Sequence, residues 1–512
     1  MRFIYDNLAV MYLAIVASLL AWMFGGTHSE PLVKVLPWLF LCTAEVVFIF
    51  PQKREDESTY DARERVWFAL KKDPLFWVSA ALVGLLAIPF ANSGLCVSCD
   101  RALIALGHSP EPPVKFLPFC VNRMNHLNVF LWFATALPCM LAVKHCLRRS
   151  GKRMLLEMIV WNGFALAILG FVQAVAGAEG PLWQPFANVK HATTFFSTFG
   201  YPNMAGDYFT TLFGIAVALW RRSNDEVAVE LRKGHDSTSL NPYQTFWRRH
   251  YRLIPAVVFF FAALNTLSRA AMMLVSLLTI IYFVHTFISF THRMSRANRL
   301  KKGTLALALT GLVVFVASLS IPEDMQREVD TLNTTEVLER VTGKGQYHVR
   351  VATEIWKDHI LFGCGGWGYK HFCIPKMTPE ELKSIQMVGG MNVHNDYLQF
   401  LAEHGLVGFG LMVLVVLLLL SPVAAAWKKL VRAARFAKAS DLPPKPVQLF
   451  AMPAPAFFIL LTAVATFVHG FGDCPLRSPA VLTLFLVSLA AVPGFLPKTA
   501  KQEDEEDRHA AC

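Results

Sequence analysis

Three basic side chains stand in segments that lie between apolar runs: Arg269, Arg350 and His394. Arg269 closes the turn Asn265-Thr266-Leu267-Ser268-Arg269 between two apolar runs. An ionisable residue beside a membrane span is costly and is a functional candidate for that reason. Arg350 lies on a stretch with helical periodicity that leads into Gly363-Cys364-Gly365-Gly366-Trp367-Gly368, and His394 opens His394-Asn395-Asp396-Tyr397-Leu398-Gln399. Guanidinium groups grip phosphate oxygens through paired N–H bonds. A histidine titrates near neutral pH and can take a proton from a hydroxyl. Together beside apolar helices, these groups suit a lipid-linked diphosphate, with its phosphates at headgroup level and its tail in the bilayer. The arginines would stabilise charge on a departing diphosphate, and His394 would act as base toward an acceptor hydroxyl. Asn203, Asn395, Tyr397, Gln399 and Lys190 are supporting candidates.

Each residue also has a plainer reading. Arg269 is a snorkelling arginine at a helix end, Arg350 pairs with Glu354 one turn on, and Tyr397 is an interfacial anchor. The glycine cluster lacks the Lys-Ser/Thr ending and the preceding strand of a phosphate-binding loop. Cys96-x-x-Cys99 has no second pair to complete a zinc array, so a structural disulfide is the safer reading; no metal and no cofactor are expected.

The elements that must position these groups follow from composition. The chain has 512 residues, 54% hydrophobic and 17% charged, where a soluble domain carries about 25% charge. Several apolar runs reach the roughly 20 residues that cross a bilayer as a helix. This excludes an ordinary soluble enzyme, a disordered chain and a small disulfide scaffold, and the long runs are unlike the alternating strands of a barrel. The expectation is an all-α polytopic integral membrane protein with about twelve transmembrane helices, near 8–24, 32–51, 75–93, 126–147, 154–178, 203–220, 253–268, 270–290, 303–320, 406–427, 450–470 and 479–496.

With both termini in the cytoplasm, the loops at 52–74, 144–153, 221–252, 291–302 and 428–449 face inward and carry most of the Lys and Arg. That is the positive-inside pattern. It accounts for the net charge of +11 through the bilayer, with no nucleic-acid partner. Residues 1–320 then hold spans one to nine, 321–400 form a large, partly helical external loop (Gln326–Arg340 and Gln346–His359), 401–496 hold the last three spans, and 497–512 are an acidic tail. Cys96, Cys99, Cys120, Cys364, Cys373 and Cys474 fall outside, where disulfides are permitted but their pairing is open. Asp473 and Arg477 share the last external turn and are placed to pair.

At these residues the chain resembles the O-antigen ligase superfamily of bacterial envelope glycosyltransferases. Phe199-Gly200-Tyr201-Pro202-Asn203-Met204-Ala205-Gly206 is similar to the family's G-x-x-x-N-x-x-A segment, and Leu267-Ser268-Arg269-Ala270 to its Ser-Arg turn. Arg350 with Trp356, Asp358, Gly363 and Gly365-Gly366-Trp367-Gly368 resembles its R…W…G-x-G segment. Val393-His394-Asn395-Asp396-Tyr397-Leu398-Gln399 with Glu403 and Gly405 resembles its H-N-x-Y-L-Q…E-x-G segment. The likeness covers roughly residues 150–495. The 94–124 loop and the tail match no pattern of the family.

The resemblance implies a GT-C-like fold in the bacterial inner membrane, with its site facing the periplasm. It implies a glycan moved from undecaprenyl diphosphate to an acceptor, without nucleotide sugar or obligatory metal. Arg269 and Arg350 would serve the diphosphate and His394 the acceptor. Transfer of O-antigen to lipid A–core is the first expectation. Polymerases and protein O-oligosaccharyltransferases share the motifs, so the acceptor stays open. A lipid-linked glycan transporter is the alternative of another class; it should show internal repeats and broken helices at the midplane, and no clear repeat of the halves is seen.

Overall fold

The computed structural model describes residues 7–26, 29–54, 57–93, 112–183, 195–232, 241–291, 347–382, 392–439 and 452–497. Among them the named elements are all helices, with one isolated bridge between Phe196 and Phe199. The main helices are α1 (Leu8–Trp22), α2 (Ser29–Ile49), α3 (Thr59–Lys72), α4 (Pro74–Ala87), α5 (Arg123–His145), α6 (Arg149–Val175) and α7 (Pro202–Arg232). There follow α8 (Pro242–His250), α9 (Leu253–Asn265), α10 (Arg269–Thr291), α11 (Tyr347–Asp358), α12 (Asp396–Ala439), α13 (Ala454–Gly472) and α14 (Pro479–Ala491).

Side chains at the helix starts satisfy amides that have no partner within the helix. Ser58 and Asp61 form a capping box on α3, while Asp73, Asn122 and Ser478 cap α4, α5 and α14. Pro74 and Pro479 occupy first helical positions, where no amide hydrogen is needed.

Among the described residues, five helices are long and apolar enough to cross a membrane, or up to six if the pair α3 and α4, bent by 74°, is one span. The fold class therefore stands as a helical membrane protein. The count of twelve is met only in part. Segments near 8–24, 253–268 and 479–496 form helices of 15, 13 and 13 residues, shorter than a bilayer requires at 1.5 Å per residue. Residues 303–320 and 326–340 lie outside the described residues.

Helix α14 is the centre of the bundle: every residue from Pro479 to Ala491 is buried. A helix that is apolar all round belongs in an interior. Helices α7 and α13 approach closely because Gly214 faces Thr462, and α7 meets α10 at Gly206, which faces Ala271 and Ser268. A second, smaller core joins Phe119 and Val121 to Val351, Ala352 and Ile355 of α11, and to Tyr369, Val393 and Ala402. The four described cysteines expected on the outside are buried thiols that form no disulfide among the described residues. Cys120 and Cys373 donate to backbone carbonyls, and Cys474 donates to Asp473. Cys96 and Cys99 lie outside the described residues.

One joint governs how the site segment enters the bundle. Helix α12 breaks at Gly405 (φ 63°, ψ −171°), a conformation open essentially to glycine. The 360–365 segment satisfies the broken helix. Leu406 and Val407 N–H donate to the Ile360 and Leu361 carbonyls at 2.9 and 3.0 Å, and Cys364 and Gly365 N–H donate to Ala402 and Glu403 at 3.0 and 2.8 Å. A Cβ on Gly405 would lie 2.2 Å from the Leu361 oxygen, and one on Gly363 would lie 2.3 Å from the Glu403 carbonyl carbon. The glycine cluster is thus a backbone joint, with its amides engaged within the protein. Gly405→Ala should destabilise the fold by about 3 kcal/mol, read as a lower thermal midpoint in detergent. Gly410→Ala, where a Cβ meets open space, should leave the midpoint unchanged.

Candidate active site

Four segments meet at one end of the bundle. Residues 195–201 form a tight turn with Ser197 at φ 58°. Ser197 Oγ donates to the Leu166 carbonyl at 2.7 Å, and Thr198 Oγ1 to the Ala21 carbonyl at 2.8 Å. These bonds tie the turn to the ends of α6 and α1, so that Tyr201 and Asn203 arrive at the start of α7. The turn before α10 places Ser268 beside them, and the link between α13 and α14 supplies Asp473. His394 precedes α12 in the left-handed region, at φ 54°.

These groups converge on Asp473. Tyr201 Oη donates to both carboxylate oxygens at 2.9 and 3.0 Å. Asn203 Nδ2 donates to Oδ2, and Ser268 Oγ donates in turn to Asn203 Oδ1. The Cys474 amide donates to Oδ1 at 2.7 Å, and His394 Nδ1 lies 3.3 Å from the same oxygen. Burial alone would raise the Asp473 carboxyl. The hydrogen bond and charge of His394, the charge of His469 and the Cys474 amide outweigh it and hold the group at about 2.

An ionised carboxylate can only accept. His394 must therefore carry its proton on Nδ1 toward Asp473, which leaves Nε2 as the basic nitrogen. The His394 side chain is 38% exposed while Asp473 is 7% exposed, so the acid is sheltered and the base is accessible. The His348 ring stands 5.9 Å from the His394 ring. Burial pushes His348 down to about 4, the like charge of His394 adding to the effect. His348 is thus a neutral neighbour near neutral pH, with Nδ1 3.0 Å from the Tyr369 hydroxyl.

The other expected residues have varied places. Arg269 begins α10, directly after Ser268. Arg350 is a turn-mate of His348 on α11 and holds Glu354 at 3.0 Å and Glu381 at 2.8 Å. The plainer pairing expected with Glu354 is therefore present, together with a second carboxylate. Asn395 accepts the Leu398 amide at 2.9 Å and donates to the Phe471 carbonyl at 3.1 Å, clamping α12 to α13. Tyr397 Oη donates to the Phe467 carbonyl at 2.6 Å. Gln399 is fully buried; it accepts the Val393 amide at 3.0 Å and donates to Glu403 at 3.1 Å. Lys190 lies outside the described residues.

The pairing expected between Asp473 and Arg477 is corrected. Arg477 Nη2 instead meets Glu403 at 3.0 Å, and its guanidinium lies 4.2 Å from the Trp367 ring centroid. Glu403 is buried on α12 and needs a cation, whereas Asp473 already has neutral donors and His394.

A cavity of about 540 Å³ begins beside these residues, with Asp396, Tyr397 and Arg477 at its polar end. It continues between apolar side chains such as Val413, Leu417, Leu460 and Val464. From Phe409 to Leu420 of its wall, α12 rises about 16 Å. Its walls along this length are almost wholly apolar. Ligand atoms of His394, Asp473 and Cys474 lie within 4.8 Å of one another. The Asp473 oxygens are already engaged by protein donors, so the trio is a hydrogen-bonded unit as it stands.

Residues 254–413 match the family model described as O-Antigen ligase. Over that stretch the chain is similar to the O-antigen ligase family. The matched stretch contains Arg269, Arg350 and His394, while Tyr201, Asn203 and Asp473 complete the site from outside it. No curated protein matches the chain. The apolar helices and the ligase domain together identify a membrane protein.

The lowered pKa of Asp473 has a consequence for stability. Its folded value lies below the ordinary carboxyl value of about 3.9, so its contribution is full above about pH 4 and fades as pH falls through about 2. Asp473→Asn should lose about 2 kcal/mol at pH 7. The gap to wild type should narrow between pH 4 and 2, as thermal melts in detergent at stepped pH would show.

Proposed function

We propose that the protein is an integral-membrane glycan transferase that moves a glycan from undecaprenyl diphosphate to an acceptor, with transfer of O-antigen to lipid A–core as the first reading. The observation that carries this reading is the Asp473–His394 pair, with His394 just ahead of Asp396 and Tyr397, which line an apolar cavity, in a chain whose residues 254–413 match an O-antigen ligase model. The acceptor hydroxyl gives its proton to His394 Nε2 as its oxygen bonds to the anomeric carbon. The bond from that carbon to the diphosphate breaks, and the diphosphate leaves with the electron pair. Arg269 and Arg350 stabilise the charge that develops on it. The carboxylates on Arg350 are exchangeable partners, because its side chain is 44% exposed and exposed ion pairs are weak. Asn203 and Tyr201 hold Asp473, and Asn395 and Tyr397 hold the segment that bears His394.

In this reading the site faces the periplasm from the bacterial inner membrane, the termini are cytoplasmic, and about twelve spans cross in total. Contacts at the opposite end of the bundle support that orientation. Lys144 and His145 meet Asp73 at 2.6 and 2.7 Å, and Arg149 binds the Leu496 carbonyl at 2.6 Å, gathering basic segments on one side. Residues 321–400 then form the large periplasmic loop before the last three spans, and 497–512 the acidic cytoplasmic tail.

Reconstitution tests the reading. Purified protein in liposomes would receive a lipid-diphosphate-linked glycan with lipid A–core, with a second lipid-linked glycan, or with a peptide. Product on lipid A–core is expected. Product lengthened on the polyprenyl carrier would make the protein a polymerase, and glycopeptide an oligosaccharyltransferase. Donor movement across the membrane without product would make it a transporter. Arg269→Ala and Arg350→Ala should abolish transfer, with Lys restoring little because it lacks the paired donors. His394→Ala should lower kcat on the order of 10²–10⁴-fold with little change in donor KM. A chelator should leave the rate unchanged; a rate lost to chelation and restored by a metal would recast His394, Asp473 and Cys474 as ligands.

A further inference from the structure

The interface beneath Asp473 carries ionisable groups that the proposed reaction does not use. Asp207 lies one turn after Asn203 on α7, and His469 one turn before Asp473 on α13. His469 Nδ1 stands 3.0 Å from Asp207 Oδ1, and Thr466 Oγ1 donates to Asp207 Oδ2 at 3.0 Å. Thr211 and Thr466 meet one rung further on, at 3.1 Å. The side chains of His469 and Asp207 are 0% and 1% exposed. An acid and an imidazole enclosed in an apolar bundle are expensive, and apolar residues would pack two helices without that cost.

The geometry gives the pair a task. The Asp473 N–H donates to the His469 carbonyl at 3.1 Å, so the end of α13 is continuous with the site. Asn203, which holds Asp473, shares one face of α7 with Asp207. The 207–469 contact therefore sets the rotation and register at which the rung above it, Asn203 with Asp473, closes. We infer that Asp207 and His469 are positioning residues: through the α7–α13 register they hold the Asp473 carboxylate on His394, and so act on turnover and not on donor binding.

The inference rests on the transfer reading, and the test separates the two. In the reconstituted assay, His469→Ala and Asp207→Ala should each lower kcat about 10–100-fold with donor KM changed less than about twofold. His469→Gln keeps an N–H for Asp207 and should recover most of the activity. In an Asp473→Asn background, His469→Ala should cost less than about threefold more, since the register then has no carboxylate to present. Losses that multiply independently, or a raised KM with unchanged kcat, would overturn the inference. If His469→Ala fails to fold, His469→Gln and His469→Asn carry the test: Gln near wild type with Asn strongly impaired in kcat is expected, and equal activity of the two would overturn it. Wild type that transfers no glycan would sink the transfer reading itself.

Discussion

A single buried carboxylate organises the site end of this protein. Asp473 takes hydrogen bonds from Tyr201 and Asn203 before and within α7, from the Cys474 amide in its own turn, and from His394 ahead of α12. An uncompensated charge at 7% exposure would be strongly destabilising. The segments that bring its donors are thereby obliged to meet. Their meeting fixes the tautomer of His394 and leaves its outer nitrogen basic. Structural necessity and proposed chemistry are the same interaction seen from two sides.

Two further devices keep that interaction in place. The backbone joint between 360–365 and the break at Gly405 lets α12 change direction without orphaned amides, and so sets where His394 enters. The buried Glu403–Arg477 pair ties α12 to the turn that follows Asp473. Removing one partner of such a pair typically costs about 3–5 kcal/mol. The apolar cavity between α12, α13 and α14 has Glu403 and Arg477 in its lining, so the same packing that holds the site shapes this cavity.

Much of this was legible in the residues. Long apolar runs announced a helical membrane protein; Arg269 stood out because charge at the edge of apolar sequence is costly, and Arg350 and His394 stood out through the motifs that resemble the ligase family. The i to i+4 spacing of Arg350 and Glu354 foretold their contact. The role of Asp473 was not legible. Its partners lie 272, 270 and 79 residues away, and the nearest opposite charge, Arg477, invited a local pairing that tertiary structure overrides. The Asp207–His469 contact spans 262 residues and was hidden for the same reason. Several apolar runs fold into helices of 13 to 15 residues, a distinction in length that hydropathy alone does not carry.

The central claim is that Asp473 holds His394 with its proton on Nδ1 and its Nε2 free. Nitrogen-15 NMR of histidine-labelled protein in bilayers, with His394 assigned through His394→Gln, reads this directly. The account predicts a protonated Nδ1 and an unprotonated Nε2 for neutral His394, lost in Asp473→Asn. A proton on Nε2 in the wild-type protein, or a spectrum unmoved by Asp473→Asn, would contradict it.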